Sequence, residues 1–230
     1  MKLDSIHLVI FDCDGVLVDS EPIAIAVLLE IIREAGVVLG EEEAYRRFLG
    51  RSMVSISKDI EAEFGLIVTD DHLTAIRLRL YEEFRRDLRP IPGIAETLSK
   101  LDRPYCVASS SQPERIRLSL DVTGLLDRFE PWIYSSTMVR KGKPAPDLFL
   151  HAARSMGVQP ASCLVVEDSV AGIQAAQRAG MHVFAFTGGS HAVAGDLVRK
   201  AAELKPDRVF DDMRALPGLI EGMAKAGNMA

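Results

Sequence analysis

Asp12 and Asp14 stand one residue apart where an apolar run ends, in His7-Leu8-Val9-Ile10-Phe11-Asp12-Cys13-Asp14-Gly15. Side chains two apart on an extended chain point the same way, so both carboxylates can face one site. Two anions held that close invite a divalent cation or a shared proton. Gly15 lets the backbone turn tightly beside whatever binds there. Further on, Ser109 follows the apolar run 105–108, and Glu167-Asp168 follow the run 163–166. Lys143 sits between them in Lys141-Gly142-Lys143-Pro144-Ala145-Pro146. Carboxylates, a hydroxyl and a lysine at one edge suit a hard, oxygen-seeking cation and a phosphate, and Mg2+ takes one or two carboxylates plus phosphate oxygens and water. The residues alone leave alternatives open. Asp-x-Asp-Gly is also a turn composition. Ser109 or Ser110 could be plain turn residues, Lys141 could replace Lys143, and Glu167 could merely open the next helix near its dipole.

The elements that must hold these groups follow from hydrophobic periodicity. Residues 8–11 read as a strand buried on both faces. It must end at Asp12, because burying an unpaired carboxylate is costly. From 20 to about 88 the pattern is helical. Ser20 serves as an N-cap, with Glu21 and Pro22 in the first turn. Helices are expected over 23–35, 41–49, 52–64 and 70–86, the first three closed by Gly36, Gly50 and Gly65, and the last with Leu73, Ile76, Leu80 and Phe84 at helical spacing. Pro90 and Pro92 then break the pattern. Beyond them come a helix over 94–101, a strand over 105–108 and a helix opened by a Ser111–Glu114 capping box. A strand over 132–134, a helix over 146–156, a strand over 163–166, a helix over 170–179, a strand over 181–186 and a last strand at 209–210 complete the series. Strands alternating with helices imply an α/β fold with a Rossmann-like parallel sheet core. A helical cap domain is inserted after the first strand, so that 1–18 and 88–230 form the core and 19–87 the cap. In open parallel sheets ligands bind outside the carboxyl ends of the strands, which is where the candidate residues fall.

Composition narrows the partners. The chain has 230 residues, 48% of them hydrophobic, and a net charge of -6, which disfavours nucleic acid as a main partner. A small anionic substrate is compatible with that charge if local cations reverse the field in a cleft. Cys13, Cys106 and Cys163 lie in or beside apolar runs, with no C-x-x-C pair, so buried free thiols in a reducing compartment are expected. No signal peptide or membrane span is visible. The expectation is a cytoplasmic protein with no membrane partner, a monomer or weak homo-oligomer.

Asp12-x-Asp14-Gly15, Ser109, Lys143-Pro144 and Glu167-Asp168-Ser169, in that order and with a helical segment after the first motif, resemble the haloacid dehalogenase-like hydrolases. The capped phosphatases and the β-phosphoglucomutase-like branch are closest. The similarity to the 6-phosphogluconate phosphatase-like members is closer still, through 11–15, 17–21, Arg47-Phe48 with Gly50, and 168–172. The resemblance implies that Asp12 is the nucleophile, taking the phosphoryl group as an aspartyl-phosphate. It implies that Asp14 is the general acid and base, with its backbone carbonyl on the magnesium. Ser109 and Lys143 would bind the transferring phosphoryl oxygens. Asp12, Asp14, Asp168 and Glu167 would form the metal site, with Glu167 direct or through water. Arg51 and Arg77 in the cap are the candidates for contacting a small phosphorylated metabolite, a sugar or sugar-acid phosphate. Two rivals remain, a hexose phosphomutase and a non-catalytic sugar-phosphate-binding module. The mutases resemble this chain but carry a cap-hinge histidine where it has Ile23-Ala24-Ile25. Asp19 is read as a hinge residue outside the chemistry.

Overall fold

The structure, a computed structural model, describes residues 6–48, 53–193 and 196–227. Strand β1 (Leu8–Phe11) is followed by four helices, α1 (Glu21–Glu34), α2 (Glu41–Phe48), α3 (Met53–Phe64) and α4 (Asp70–Asp87). Then come α5 (Ile94–Lys100), β2 (Tyr105–Ser109), α6 (Pro113–Val122), α7 (Leu126–Phe129) and β3 (Ile133–Ser135). The chain continues through α8 (Asp147–Ser155), β4 (Cys163–Glu167), α9 (Val170–Arg178) and β5 (His182–Phe186). It closes with α10 (Leu197–Glu203), β6 (Arg208–Phe210) and α11 (Leu216–Gly227).

The six strands form one parallel sheet in the order β3-β2-β1-β4-β5-β6. The α/β, Rossmann-like expectation is borne out. The chain first builds outward from β1 to β3, then returns to the other side of β1 with β4. That reversal falls between β1 and β4, and the carboxyl ends of strands at such a point are where these sheets bind ligands. Every residue of β1 is buried, as a strand covered on both faces requires. One face packs Phe11 edge-on against Tyr105 and Phe129, with ring centroids 6.3 and 6.2 Å away. The other face packs Leu8 and Ile10 with Leu148, Phe149 and Ile173.

Helices α1 to α3 have an apolar cluster of their own, with Ile25, Leu28, Ile32, Phe48 and Ile60 buried together. Val27 on α1 and Leu80 and Phe84 on α4 instead join the cluster beneath the sheet. Leu73, read as part of the apolar face of α4, is 37% exposed. The helix buries only the half that reaches the core cluster. The two passages between sheet and helices run side by side. Val18 bridges Pro90, Asp19 N–H donates to Arg89 O at 3.0 Å, and Ile91 N–H donates to Leu17 O at 2.9 Å.

Several local expectations are corrected. The Ser111–Glu114 capping box does not form, since α6 starts with Pro113 after Gln112 and has no side-chain cap. Ser20 precedes α1 but makes no cap hydrogen bond. Both hydroxyls are committed elsewhere, to Asp14. Strand β3 starts at Ile133, leaving Trp132 43% exposed, although its carbonyl still accepts from Val107 N–H. The three cysteines are buried and free. Among the described residues no helix is long and apolar enough to cross a membrane.

Candidate active site

The ladder between β1 and β4 runs one step past the strands. Asp12 N–H donates to Val166 O at 3.0 Å, which sets Asp12 beside Glu167, the last residue of β4. Asp168 follows directly. Lys143 reaches them from the segment between β3 and α8. Its Nζ donates to Asp12 Oδ1 and to Glu167 Oε1, each at 2.6 Å. The lysine side chain is only 4% exposed, and its ammonium lies 5.0 Å from the centre of the Phe149 ring. Glu167 Oε2 accepts from Ser169 N–H at 2.6 Å, so both oxygens of Glu167 are engaged. Oxygens of Asp12, Glu167 and Asp168 lie within 4.8 Å of one another, all in buried residues.

The charge balance of this cluster is incomplete. Burial pushes the Asp12 carboxyl well above the usual range. Lys143 works against that shift, while Glu167, Asp168 and Asp14 add to it. Asp168 is likewise raised, first by burial and then by Glu167. Burial opposes the charge on Lys143, yet Asp12 and Glu167 outweigh it and hold the ammonium protonated. Three buried carboxylates against one cation leave an excess of negative charge, so the donor set fits a hard divalent cation such as Mg2+.

Asp14 faces a different environment. Its Oδ1 accepts from Ser20 Oγ at 2.6 Å and from Arg115 Nη2 at 2.8 Å, and its Oδ2 accepts from Ser111 Oγ at 2.7 Å. Burial would raise this carboxyl, but Arg115 and the two hydroxyls more than offset it and bring it below the usual value. The Arg115 guanidinium also stacks on Phe84 of α4, 5.4 Å from the ring centre. The two aspartates read as a pair thus sit in opposite fields, one raised and one lowered. Gly15, at φ +78°, turns the chain after them, and a Cβ there would lie 1.9 Å from Asp168 Oδ2.

Ser109 ends β2, 1% exposed, and its Oγ accepts from Ser111 N–H at 3.1 Å. Arg77 is exposed on α4, with no hydrogen bond or ion pair among the described residues. Arg51 and Gly50 lie outside the described residues. Asp19 Oδ1 accepts from Ser190 N–H and Oγ at 3.2 and 2.9 Å, tying the passage into the helices to the loop after β5. Sequence reasoning missed Arg115, Ser111, His191 and Glu21 as parts of this site. Ser111 lies just ahead of α6 and Arg115 in its first turn, and both reach Asp14 across the fold. His191 follows Gly188-Gly189 at the carboxyl end of β5, and its Nε2 lies 2.9 Å from Asp168 Oδ2. Burial keeps that imidazole below its usual pKa, with Glu21 and Asp19 pulling the other way. Glu21 opens α1 within the field of Asp14, Asp168, His191 and Arg115.

A family model described as haloacid dehalogenase-like hydrolase matches residues 6–180. The 6-phosphogluconate phosphatase of Escherichia coli is 33% identical over 190 residues, covering 82% of this chain and 86% of that protein. The crystal structure of a conserved haloacid dehalogenase-like protein of unknown function from Agrobacterium tumefaciens is 38% identical, with a TM-score of 0.84 and coverage of 96% and 100%. That of a family hydrolase from Deinococcus radiodurans, with bound phosphate and sodium, is 31% identical, with a TM-score of 0.76 and coverage of 95% and 96%. The chain belongs to the haloacid dehalogenase-like hydrolases, and it is a phosphatase.

Two predictions follow from the packing and charge of the site. A Cβ on Gly172 would lie 1.8 Å from Glu167 Oε1, and Glu167 is pinned on both oxygens and cannot yield. Gly172→Ala should therefore lose about 1–3 kcal/mol in a urea melt and lose activity with it, as overpacking does. Burial, then Asp14 and Asp168, push the Glu21 carboxyl up to about 7. In the unfolded chain it ionises near 4.5. Between these values the folded state holds a proton that the unfolded state has lost, so Glu21 makes stability fall as pH rises and levels off above about 7. In magnesium-free buffer Glu21→Gln should gain Tm over the wild type between pH ~5 and ~8. A difference that does not change with pH would contradict it.

Proposed function

We propose that this enzyme is a magnesium-dependent phosphatase of small sugar or sugar-acid phosphates, working through an aspartyl-phosphate on Asp12. The reading places the chemistry on the core, 1–18 and 88–230, with 19–87 as a cap that closes over it in the reducing cytoplasm. The observation that carries it is Lys143 Nζ shared between Asp12 and Glu167, at 2.6 Å each, at the reversal of the sheet. The name of the Escherichia coli relative supports the substrate class.

Asp12, Glu167 and Asp168 would hold the magnesium with the Asp14 backbone carbonyl. Both Glu167 oxygens already accept hydrogen bonds, which favours contact through water for that residue. The cation supplies charge neutralisation, both of the buried carboxylates and of the phosphoryl oxygens. Asp12 attacks phosphorus through a carboxylate oxygen as the bond to the sugar oxygen breaks. Asp14 gives its proton to that departing oxygen. Asp14 then takes a proton from water, the water oxygen bonds to phosphorus, and the bond to Asp12 breaks to release phosphate. Lys143 and Ser109 bind the phosphoryl oxygens throughout. Arg115 favours the ionised form of Asp14 that serves the second step, and the acid role requires Asp14 to part from Arg115 as substrate enters. Arg51 and Arg77 are the cap's candidates for the distal end of the substrate.

Phosphate release from a panel of sugar, sugar-acid and nucleotide phosphates, with and without Mg2+, tests this. Release should require Mg2+, favour the sugar and sugar-acid esters, and fall at least about a thousandfold in Asp12→Asn. Full activity in that variant would overturn the mechanism. Binding without release would favour the binding module, and conversion between phosphate isomers the mutase.

A further inference from the structure

We propose that His191 is a positioning residue for the metal site. Its Nε2–H fixes one oxygen of Asp168 and so sets that carboxylate's orientation towards a bound magnesium. The proposal rests on the magnesium reading above and adds a residue that reading does not use.

Three observations carry it. First, the imidazole is 2% exposed and its Nε2 lies 2.9 Å from Asp168 Oδ2, while its buried Nδ1 has no hydrogen-bond partner among the described residues. Burying a ring nitrogen with no partner is costly, so a residue needed only to fill space would be apolar here. Among the described residues the polar contact that repays the imidazole is Asp168. Second, two turns are shaped around the ring. A Cβ on Gly189 would lie 2.5 Å from His191 Cε1, and a Cβ on Gly15 2.8 Å from the same atom. Gly15 belongs to the turn after Asp12 and Asp14, so the loop after β5 and the loop after β1 both give way to one side chain. Third, that loop is anchored. Ser190 bonds Asp19 through its N–H and its hydroxyl, Thr187 N–H donates to Phe210 O at 2.8 Å, and Ala192 N–H donates to Gly189 O at 3.0 Å. The imidazole is therefore delivered to Asp168 by a fixed loop.

A carboxylate that holds a cation needs a partner behind it, because a free carboxylate rotates and loses affinity. Partners of this kind fix ligand orientation, and their removal costs about 10–100-fold in metal affinity. Lys143 and Ser169 hold Glu167, and Lys143 holds Asp12. His191 does the same for Asp168.

The test is the Kd of Mg2+ for the full chain, by isothermal titration calorimetry without substrate. His191→Phe keeps a ring but removes the donor, and its Kd should rise about 10–100-fold. His191→Gln carries an N–H to the same reach and should stay within about threefold of the wild type. If the Phe variant does not fold, His191→Asn, whose amide falls short of Asp168, should show the same rise. Wild-type affinity in the Phe or Asn variant overturns the assignment and leaves the magnesium reading standing. A wild type that binds no Mg2+ overturns the magnesium reading, and the assignment with it.

Discussion

The site depends on one ammonium group. Lys143 Nζ sits between Asp12 Oδ1 and Glu167 Oε1, almost wholly removed from water. Taking three carboxylates out of water costs several kcal/mol each, and a lone ion pair in a low-dielectric interior seldom repays that. Lys143 returns part of the cost, and the Ser169 amide and the imidazole of His191 return more. The remainder shows as the raised Asp12 and Asp168 carboxyls. A site that is still short of positive charge after its own lysine fits a cation, and on the proposed function that cation would let the phosphoryl group meet neutralised rather than anionic carboxylates.

The fold makes this crowding possible. Only the reversal between β1 and β4 brings Asp12 and Glu167 onto adjacent strand ends, and the parallel ladder fixes their register through Phe11 and Val166. The aspartates of the first motif leave that edge in opposite states. Asp12 turns to the lysine and the carboxylates, Asp14 to Arg115 and two hydroxyls. Neighbouring carboxyls driven apart in this way can divide nucleophile and proton carrier between them. Arg115 also rests on Phe84 of α4, so the residue that governs Asp14 touches the helices as well as the sheet.

The sequence carried the sheet, the helical segment and the order of the motifs plainly, because buried parallel strands are short apolar runs and each ends at the residues in question. Ser109 and Glu167 proved to be the last residues of their strands rather than the first after them. The short helix α7 and the C-terminal α10 and α11 went unread. In α11, Leu216, Ile220 and Met223 have helical spacing and are buried, but Pro217, Gly218 and Gly222 speak against a helix locally. By position in the sequence the hydroxyls of Ser20 and Ser111 fit helix caps, the commonest local use of serine. Their actual partner, Asp14, is distant in sequence from Ser111, and no local pattern reports such a contact. His191 and Arg115 escape for the same reason, since each acquires meaning only from a carboxylate on a different part of the chain, Asp168 and Asp14.

The central claim is that Asp12 carries the phosphoryl group during turnover. The most direct measurement is acid quenching of the enzyme while it hydrolyses a sugar phosphate with Mg2+, followed by mass spectrometry of the peptide bearing Asp12. The account predicts a single phosphoryl adduct on Asp12 that disappears once substrate is exhausted. Its appearance on another residue, or a pre-steady-state burst of released alcohol with no adduct on Asp12, would contradict it.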